Sequence, residues 1–116
     1  MPKVPKVTVI VVAWNQRALL EECLVSLDQQ SLQDFELIVV DNASEDDTAE
    51  FLRSRRDDRM QVISNAENRG FCGANNQGIE RARGEFVALL NNDAVAESGW
   101  LEAMVSSLEN DRSVGM

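Results

Sequence analysis

The chain has 116 residues, with 20 Asp and Glu against 11 Lys and Arg and no histidine, so its formal charge is -9 at pH 7. That balance lacks the cationic footprint that duplex nucleic acid or anionic lipid requires, and the missing histidine excludes imidazole triads, His–metal sites and imidazole pH switches. Hydrophobic residues at 44% and charged residues at 27% are ordinary for a folded domain, and two cysteines without a CxxC spacing form neither a disulfide framework nor a zinc site, which points to a reducing compartment.

Lys3 and Lys6 precede the apolar run Val7–Trp14, but the run is short, β-branched and followed by Asn15-Gln16-Arg17, so it reads as a strand and not as a signal peptide. Nothing approaches the roughly 20 apolar residues that span a bilayer, and a cytoplasmic chain is the expectation. Arg17–Gln30 then places Leu19, Leu20, Cys23, Leu24 and Leu27 at helical spacing, with Glu21, Glu22 and Asp28 opposite. Phe35–Val40 is a second buried strand, ending at Asp41. Ser44 reads as an N-cap, with Asp47 at the capping-box position of a helix running to Arg55. Met60–Ser64 is a short third strand. The Gly- and Asn-rich stretch Asn65–Gly73 leads into a helix over Ala74–Arg83, stopped by Gly84 at the C′ position. Glu85–Leu90 is the fourth strand, ending in Asn91-Asn92-Asp93. Ser98 caps a last helix with Trp100, Leu101, Met104, Val105 and Leu108 on its apolar face.

The order βαβαβαβα predicts an α/β fold: an open, mostly parallel sheet with right-handed crossovers and helices on both faces, Rossmann-like in its topology. Ligands of such sheets bind at the carboxyl ends of the strands, near the topological switch point. Those ends are Trp14-Asn15, Asp41-Asn42-Ala43-Ser44, the Asn65–Gly73 loop and Asn91-Asn92-Asp93. All four carry Asn or Asp, and that convergence is the functional signal.

Each segment also has an ordinary structural reading. Asp41, Asn42 and the Asn91–Asp93 stretch suit turns, where Asx side chains satisfy backbone donors. The glycines of Asn68-Arg69-Gly70-Phe71-Cys72-Gly73 serve either a tight turn or the close approach of a helix N-terminus to an anion. Their spacing is neither GxGxxG nor a phosphate loop. Cys23 belongs to an apolar helix face, Cys72 reads as a small packed residue, and Trp14 either plugs the sheet or flanks a base.

Taken in order, VTVIVVAWNQ, LEECLVSLDQQ, FELIVVDNASEDDT and NAENRGFCGANNQGIERARGEFVALLNNDA resemble the N-terminal, nucleotide-sugar-binding half of a family-2 glycosyltransferase with the GT-A fold. The resemblance runs from Val7 to Trp100. The GF-x-x-A-N-N-x-G wording and the LLNNDA ending are most similar to the rhamnosyltransferase-type branch. It implies that Ala13, Trp14 and Asn15 line the base and ribose of a nucleotide-diphospho-sugar, a UDP- or dTDP-sugar, and that Asp41 accepts from the base. Asn42, Gly70, Asn75, Asn91 and Asn92 complete the implied donor site. Asp93 matches the last acid of the DxD motif, which holds Mg2+ or Mn2+ on the donor diphosphate. Such a cation offsets phosphate charge in a chain that is itself acidic, and it prefers oxygen ligands.

Two departures stand out: Asn91 replaces the first acid of DxD, and Ala74-Asn75-Asn76 lacks the arginine that many relatives carry there. Inverting transfer to a glycan or lipid-linked acceptor, which the resemblance implies for polysaccharide biosynthesis, also needs a carboxylate base. No residue maps to it; neither Glu97 nor Glu102 is assigned. The expectation is a single donor-binding domain over 1–116, inactive alone, with the base beyond Met116. In the longer enzyme it would work in the cytoplasm or at the cytoplasmic membrane face. Two alternatives are a receiver-type signalling domain and a non-catalytic half-domain for protein contact. The latter would leave Phe86–Leu90 as an apolar sheet edge open to self-association.

Overall fold

The structure is a computed structural model that describes residues 4–55 and 57–114, with the side chains of 111–114 left aside; Lys3 and Met116, named above, lie outside the described residues. Four strands, β1 (Val7–Ala13), β2 (Phe35–Asp41), β3 (Met60–Ser64) and β4 (Phe86–Asn91), alternate with α1 (Arg17–Asp28), α2 (Thr48–Ser54), α3 (Gly70–Arg81) and α4 (Trp100–Val114). All strand pairs are parallel, in the order β3-β2-β1-β4. The chain steps outward from β1 to β3, then returns to lay β4 on the other side of β1. The switch point therefore lies between β1 and β4.

Strand periodicity sorts the core into two layers. Val7, Val9, Val11 and Ala13 of β1 join Phe35, Leu37 and Val39 of β2 against Leu20, Cys23, Leu24 and Leu27 of α1, Leu52 of α2, and Leu101 and Val105 of α4. On the other face Ile10, Ile38, Val40 and Ile63 pack with Ala74 of α3. Both faces of the central strands are thus covered, which is why β1 and β2 read as continuous β-branched runs instead of alternating ones. Each fully buried leucine of α1 contributes about 1.5–3 kcal/mol. α3 lies close on its sheet face, because a Cβ at Gly78 would come within 2.7 Å of Ile10 Cγ2.

Local boundaries differ from the sequence expectation where a tertiary partner intervenes. α3 starts at Gly70 instead of Ala74 and ends at Arg81, with Ala82 already extended. Gly84 is accordingly not a helix stop. It lets the turn before β4 pass against β1, since a Cβ there would clash with the Thr8 backbone. α2 begins at Thr48 with Asp47 at the N-cap. Ser44 is not its cap, having been drawn instead to the end of β1, where its Oγ accepts from the Asn15 N–H at 2.9 Å. Cys23 is buried as expected; Cys72, expected to be packed, is exposed.

At the amino end of the sheet, Glu36 (8% exposed) ties the returning chain down. Its Oε2 accepts from Thr8 Oγ1 and from the Arg83 N–H, each at 2.6 Å, and its Oε1 accepts from the Arg83 guanidinium at 3.2 Å. Thr8 Oγ1 in turn accepts from the Gly84 N–H at 2.8 Å. β4 is an edge strand carrying Val87 and Leu89 in partial exposure, 40% and 49%.

Candidate functional site

The carboxyl ends of β1 and β4 open onto a cleft of about 380 Å³ at the switch point, lined by Val12, Trp14, Gln16, Asn42, Asn68, Phe71, Asn91, Asn92 and Asp93. Two larger hollows, about 710 and 590 Å³, lie beside α4 and α1. Size favours them, but the first gathers apolar groups such as Leu90, Trp100 and Met104, the second sets Val25 among the polar side chains of one helix, and neither holds any of the polar strand ends. Convergent polar groups at a topological switch point are the stronger sign of a ligand site.

The rim around the cleft is held by cross-bracing two loops. Asn15 and Gln16, directly after β1, both adopt left-handed φ angles of 56 and 58, and Ala43, after β2, has φ 67. These are all the positive-φ non-glycine residues described, and all sit on this rim. The Asn15 N–H donates to Ser44 Oγ at 2.9 Å, while Asn15 Oδ1 accepts from the Glu45 N–H at 2.7 Å. The Asn42 N–H donates to the Ala13 carbonyl at 2.8 Å. Strained backbone of this kind persists where neighbours over-determine it, and it clusters at functional sites.

The residues expected from the sequence do not all play the same part. Trp14 is 52% exposed and forms one cleft wall. Ala13 is fully buried and offers the rim its carbonyl. Asp41 (4% exposed) turns a carboxylate oxygen back to accept from the Ser44 N–H at 3.1 Å, and it is not among the cleft-lining residues. Asn42, its neighbour, is. Gly70 opens α3 with φ 76, and its N–H donates to Asn68 Oδ1 at 2.7 Å. Asn75 is buried at 6% within α3, away from the lining.

Asn91, Asn92 and Asp93 form the wall opposite Asn42 and Asn68, with Ala94 N–H closing the turn onto the Asn91 carbonyl at 3.0 Å. The Cys23 thiol lies beneath this wall and donates to the Asn91 carbonyl at 3.5 Å. Burial, and secondarily the negative charge of Asp93, pushes the Cys23 pKa up to about 11.

Asp41 ends β2 and Asp93 follows β4 by two residues, and these are the two strands flanking β1, because Ala13 pairs with Asp41 and Val12 with Asn91. At about 4.8 Å between neighbouring strands, β2 and β4 run ~10 Å apart. Both acids therefore stand on one rim, Asp93 in the cleft and Asp41 behind Asn42. Sequence reasoning did not single out Val12, Gln16, Asn68 or Phe71 as site residues. Asn68 and Phe71 lay in the glycine loop already marked for a turn or an anion, and no local signal separated those two readings.

Among the described residues, no group of three or more Cys, Asp or Glu forms a metal cage. Asp93 with the Asn91 and Asn92 amides supplies hard oxygen donors, a set that suits Mg2+ or Mn2+ shared with phosphate oxygens and water.

A family model described as glycosyl transferase family 2 matches residues 8–116. An uncharacterized glycosyltransferase of Haemophilus influenzae is 34% identical over the whole chain, which covers 37% of that relative. The GalNAc(5)-diNAcBac-PP-undecaprenol beta-1,3-glucosyltransferase of Campylobacter jejuni is 36% identical over 87% of the chain and 34% of its own length. Among solved structures, S. aureus TarS 1-349 in complex with UDP superposes with a TM-score of 0.82 at 27% identity, over 92% of this chain and 33% of that one. The mannosyltransferase PcManGT from Pyrobaculum calidifontis, in complex with GDP-Man and Mn2+, gives 0.78 at 29% identity, over 92% and 32%. The chain thus spans about a third of the length of the relatives it matches.

Proposed function

The chain belongs to glycosyl transferase family 2, and from that premise we propose that its rim cleft holds a UDP- or dTDP-sugar with Mg2+ or Mn2+ for transfer to a glycan or lipid-linked acceptor. The carrying observation is the polar cleft at the β1/β4 switch point, walled by Trp14 on one strand end and Asn91–Asp93 on the other. Trp14 and Phe71, 52% and 57% exposed, offer aromatic faces for a base. Asp93, with the Asn91 amide, would hold the cation. When bound, the cation supplies charge to offset the departing diphosphate. Asp41 braces the turn behind Asn42 with one carboxylate oxygen, and its other oxygen stays the proposed acceptor for the base.

The complexes of TarS with UDP and of PcManGT with GDP-Man and Mn2+ support this donor class, and the Campylobacter relative's undecaprenol-linked substrate supports the acceptor class. Inversion, the rhamnosyltransferase-like branch, a base outside these 116 residues and inactivity of this span alone remain part of the proposal. So do its role as a single donor-binding domain and a place in the cytoplasm or at its membrane face. An exposed free thiol at Cys72 suits that reducing setting. Family membership displaces the receiver-type alternative.

Calorimetry of the full-length protein with UDP, dTDP and GDP, with and without Mn2+, tests the reading. Metal-dependent binding of a uridine or thymidine diphosphate is expected. Absence of binding to both UDP and dTDP, with or without binding to GDP, would overturn it.

A further inference from the structure

We infer that Asn42 is a positioning residue: it holds the Asn68–Phe71 wall of the cleft in place and does not itself bind the donor. An asparagine side chain has two N–H donors and a carbonyl oxygen with two lone pairs. In Asn42 all four are taken. Nδ2 donates to Asn68 Oδ1 at 3.0 Å and to the Gly70 carbonyl at 3.2 Å. Oδ1 accepts from the Arg69 N–H at 2.9 Å and from Asn65 Nδ2 at 3.2 Å. The two backbone partners fix the amide's orientation, since a carbonyl only accepts and an N–H only donates. The side chain is buried, with the residue 2% exposed, so a hydrogen bond to a ligand would leave one of these partners unsatisfied in a largely dry place.

The partners explain the consequence. Asn65, Asn68, Arg69 and Gly70 make up the loop between β3 and α3 and the first residue of that helix, and Asn42 joins them to the end of β2. Asn68 Oδ1 receives both the Asn42 amide and the Gly70 N–H, so the group Asn68 has left for the cleft is its own amide N–H pair. The chain of amides continues outward: Asn65 and Gln77 exchange reciprocal hydrogen bonds of 2.8 Å, tying the loop to the middle of α3. Asn42 therefore sets where Asn68 and Phe71 stand relative to Trp14 and Asp93.

This role rests on the donor reading above, and two measurements on the full-length protein separate them. Amide hydrogen exchange over residues 65–71 reports the wall; the Kd for UDP with Mn2+ reports the donor site. Asn42→Asp keeps the shape but turns two donations into repulsions; Asn42→Ala removes all four bonds. Gln77→Ala breaks the outer link without touching the cleft.

The expected result is faster exchange confined to 65–71 in both Asn42 variants, with UDP binding about tenfold weaker. Gln77→Ala should shift both in the same direction by a smaller factor. If the Asn42 variants lose UDP affinity while exchange over 65–71 and the Gln77→Ala protein stay unchanged, Asn42 is a direct contact and the inference fails. It fails too if exchange and affinity both stay unchanged. A wild-type protein that binds neither UDP nor dTDP with Mn2+ overturns the donor reading, and the exchange data still decide whether Asn42 holds the wall; for a protein that binds dTDP alone, the Kd is read with dTDP. Should Asn42→Ala not fold, Asn42→Asp and Gln77→Ala carry the test.

Discussion

Asn15 and Ser44, at the ends of neighbouring strands, are clamped backbone to side chain: the Asn15 N–H donates to Ser44 Oγ at 2.9 Å, and Asn15 Oδ1 accepts from the Glu45 N–H at 2.7 Å. The clamp holds two loops whose left-handed residues would otherwise relax. Ser44→Ala removes one of its two bonds and should cost about 0.5–1.5 kcal/mol in chemical unfolding. If Ser44 instead capped α2, the loss would appear as local fraying of that helix, with the β1 loop unaffected in amide exchange.

Ala43 stands on the same rim at φ 67, a region in which an alanine Cβ crowds its own backbone. Ala43→Gly should raise stability by about 1 kcal/mol, because relief of strain outweighs the extra freedom of the unfolded chain. A shift of the denaturation midpoint to lower urea would contradict this.

Glu36 makes stability depend on acid. Burial alone would raise its pKa, but hydrogen bonds from the Thr8 hydroxyl and the Arg83 N–H, then the Arg83 guanidinium, hold it below the ordinary value of 4.5. With the folded pKa depressed, its contribution is fully present above pH 4.5 and is lost as pH falls through the folded value. Glu36→Gln should flatten that part of the stability profile and cost about 1–3 kcal/mol at neutral pH. The Arg83 side chain, 66% exposed, accounts for little of this through charge alone. Unfolding curves at pH 3 to about 7 would show it.

Asp93 is legible through a thiol. Its charge is the lesser of two causes that raise the Cys23 pKa to about 11. Asp93→Asn should therefore lower that pKa only in part, with burial keeping it above an ordinary thiol. Raman titration of the S–H stretch reads this without any activity assay. An unchanged value would mean that the Asp93 carboxylate does not lie over Cys23. The same variant should lose the Mn2+ dependence of nucleotide binding.

β4 stands at the edge of the sheet with Val87 and Leu89 partly exposed, and an apolar edge strand is a template for pairing with a second copy. Light scattering at rising concentration of the 116-residue chain should detect self-association, and Leu89→Lys should suppress it. A strictly monomeric wild-type chain would speak against a sticky edge.

Much of this protein was readable from local pattern. Lys6–Trp14 and Phe35–Val40 announced doubly covered strands because short, β-branched runs without polar alternation suit strands buried on both faces. The polar residues at four strand ends followed from the same alternation. The start of α3 was less legible, since Gly70 with φ 76 is a poor helix former whose place depends on Asn42 and Asn68.

Residue type and periodicity by themselves established the βαβ alternation, the buried strands and the polar character of the rim, because those properties depend on near neighbours in the chain. Folding alone decided which rim residues face the cleft. Asn42 is saturated by partners 23 to 28 positions away, Asp41 is turned into its own loop, and Gln16, Asn68 and Phe71 are brought to the cavity. Hydrogen-bond saturation between distant segments, together with the β3-β2-β1-β4 order, is set by packing across the sheet and has no counterpart in local spacing.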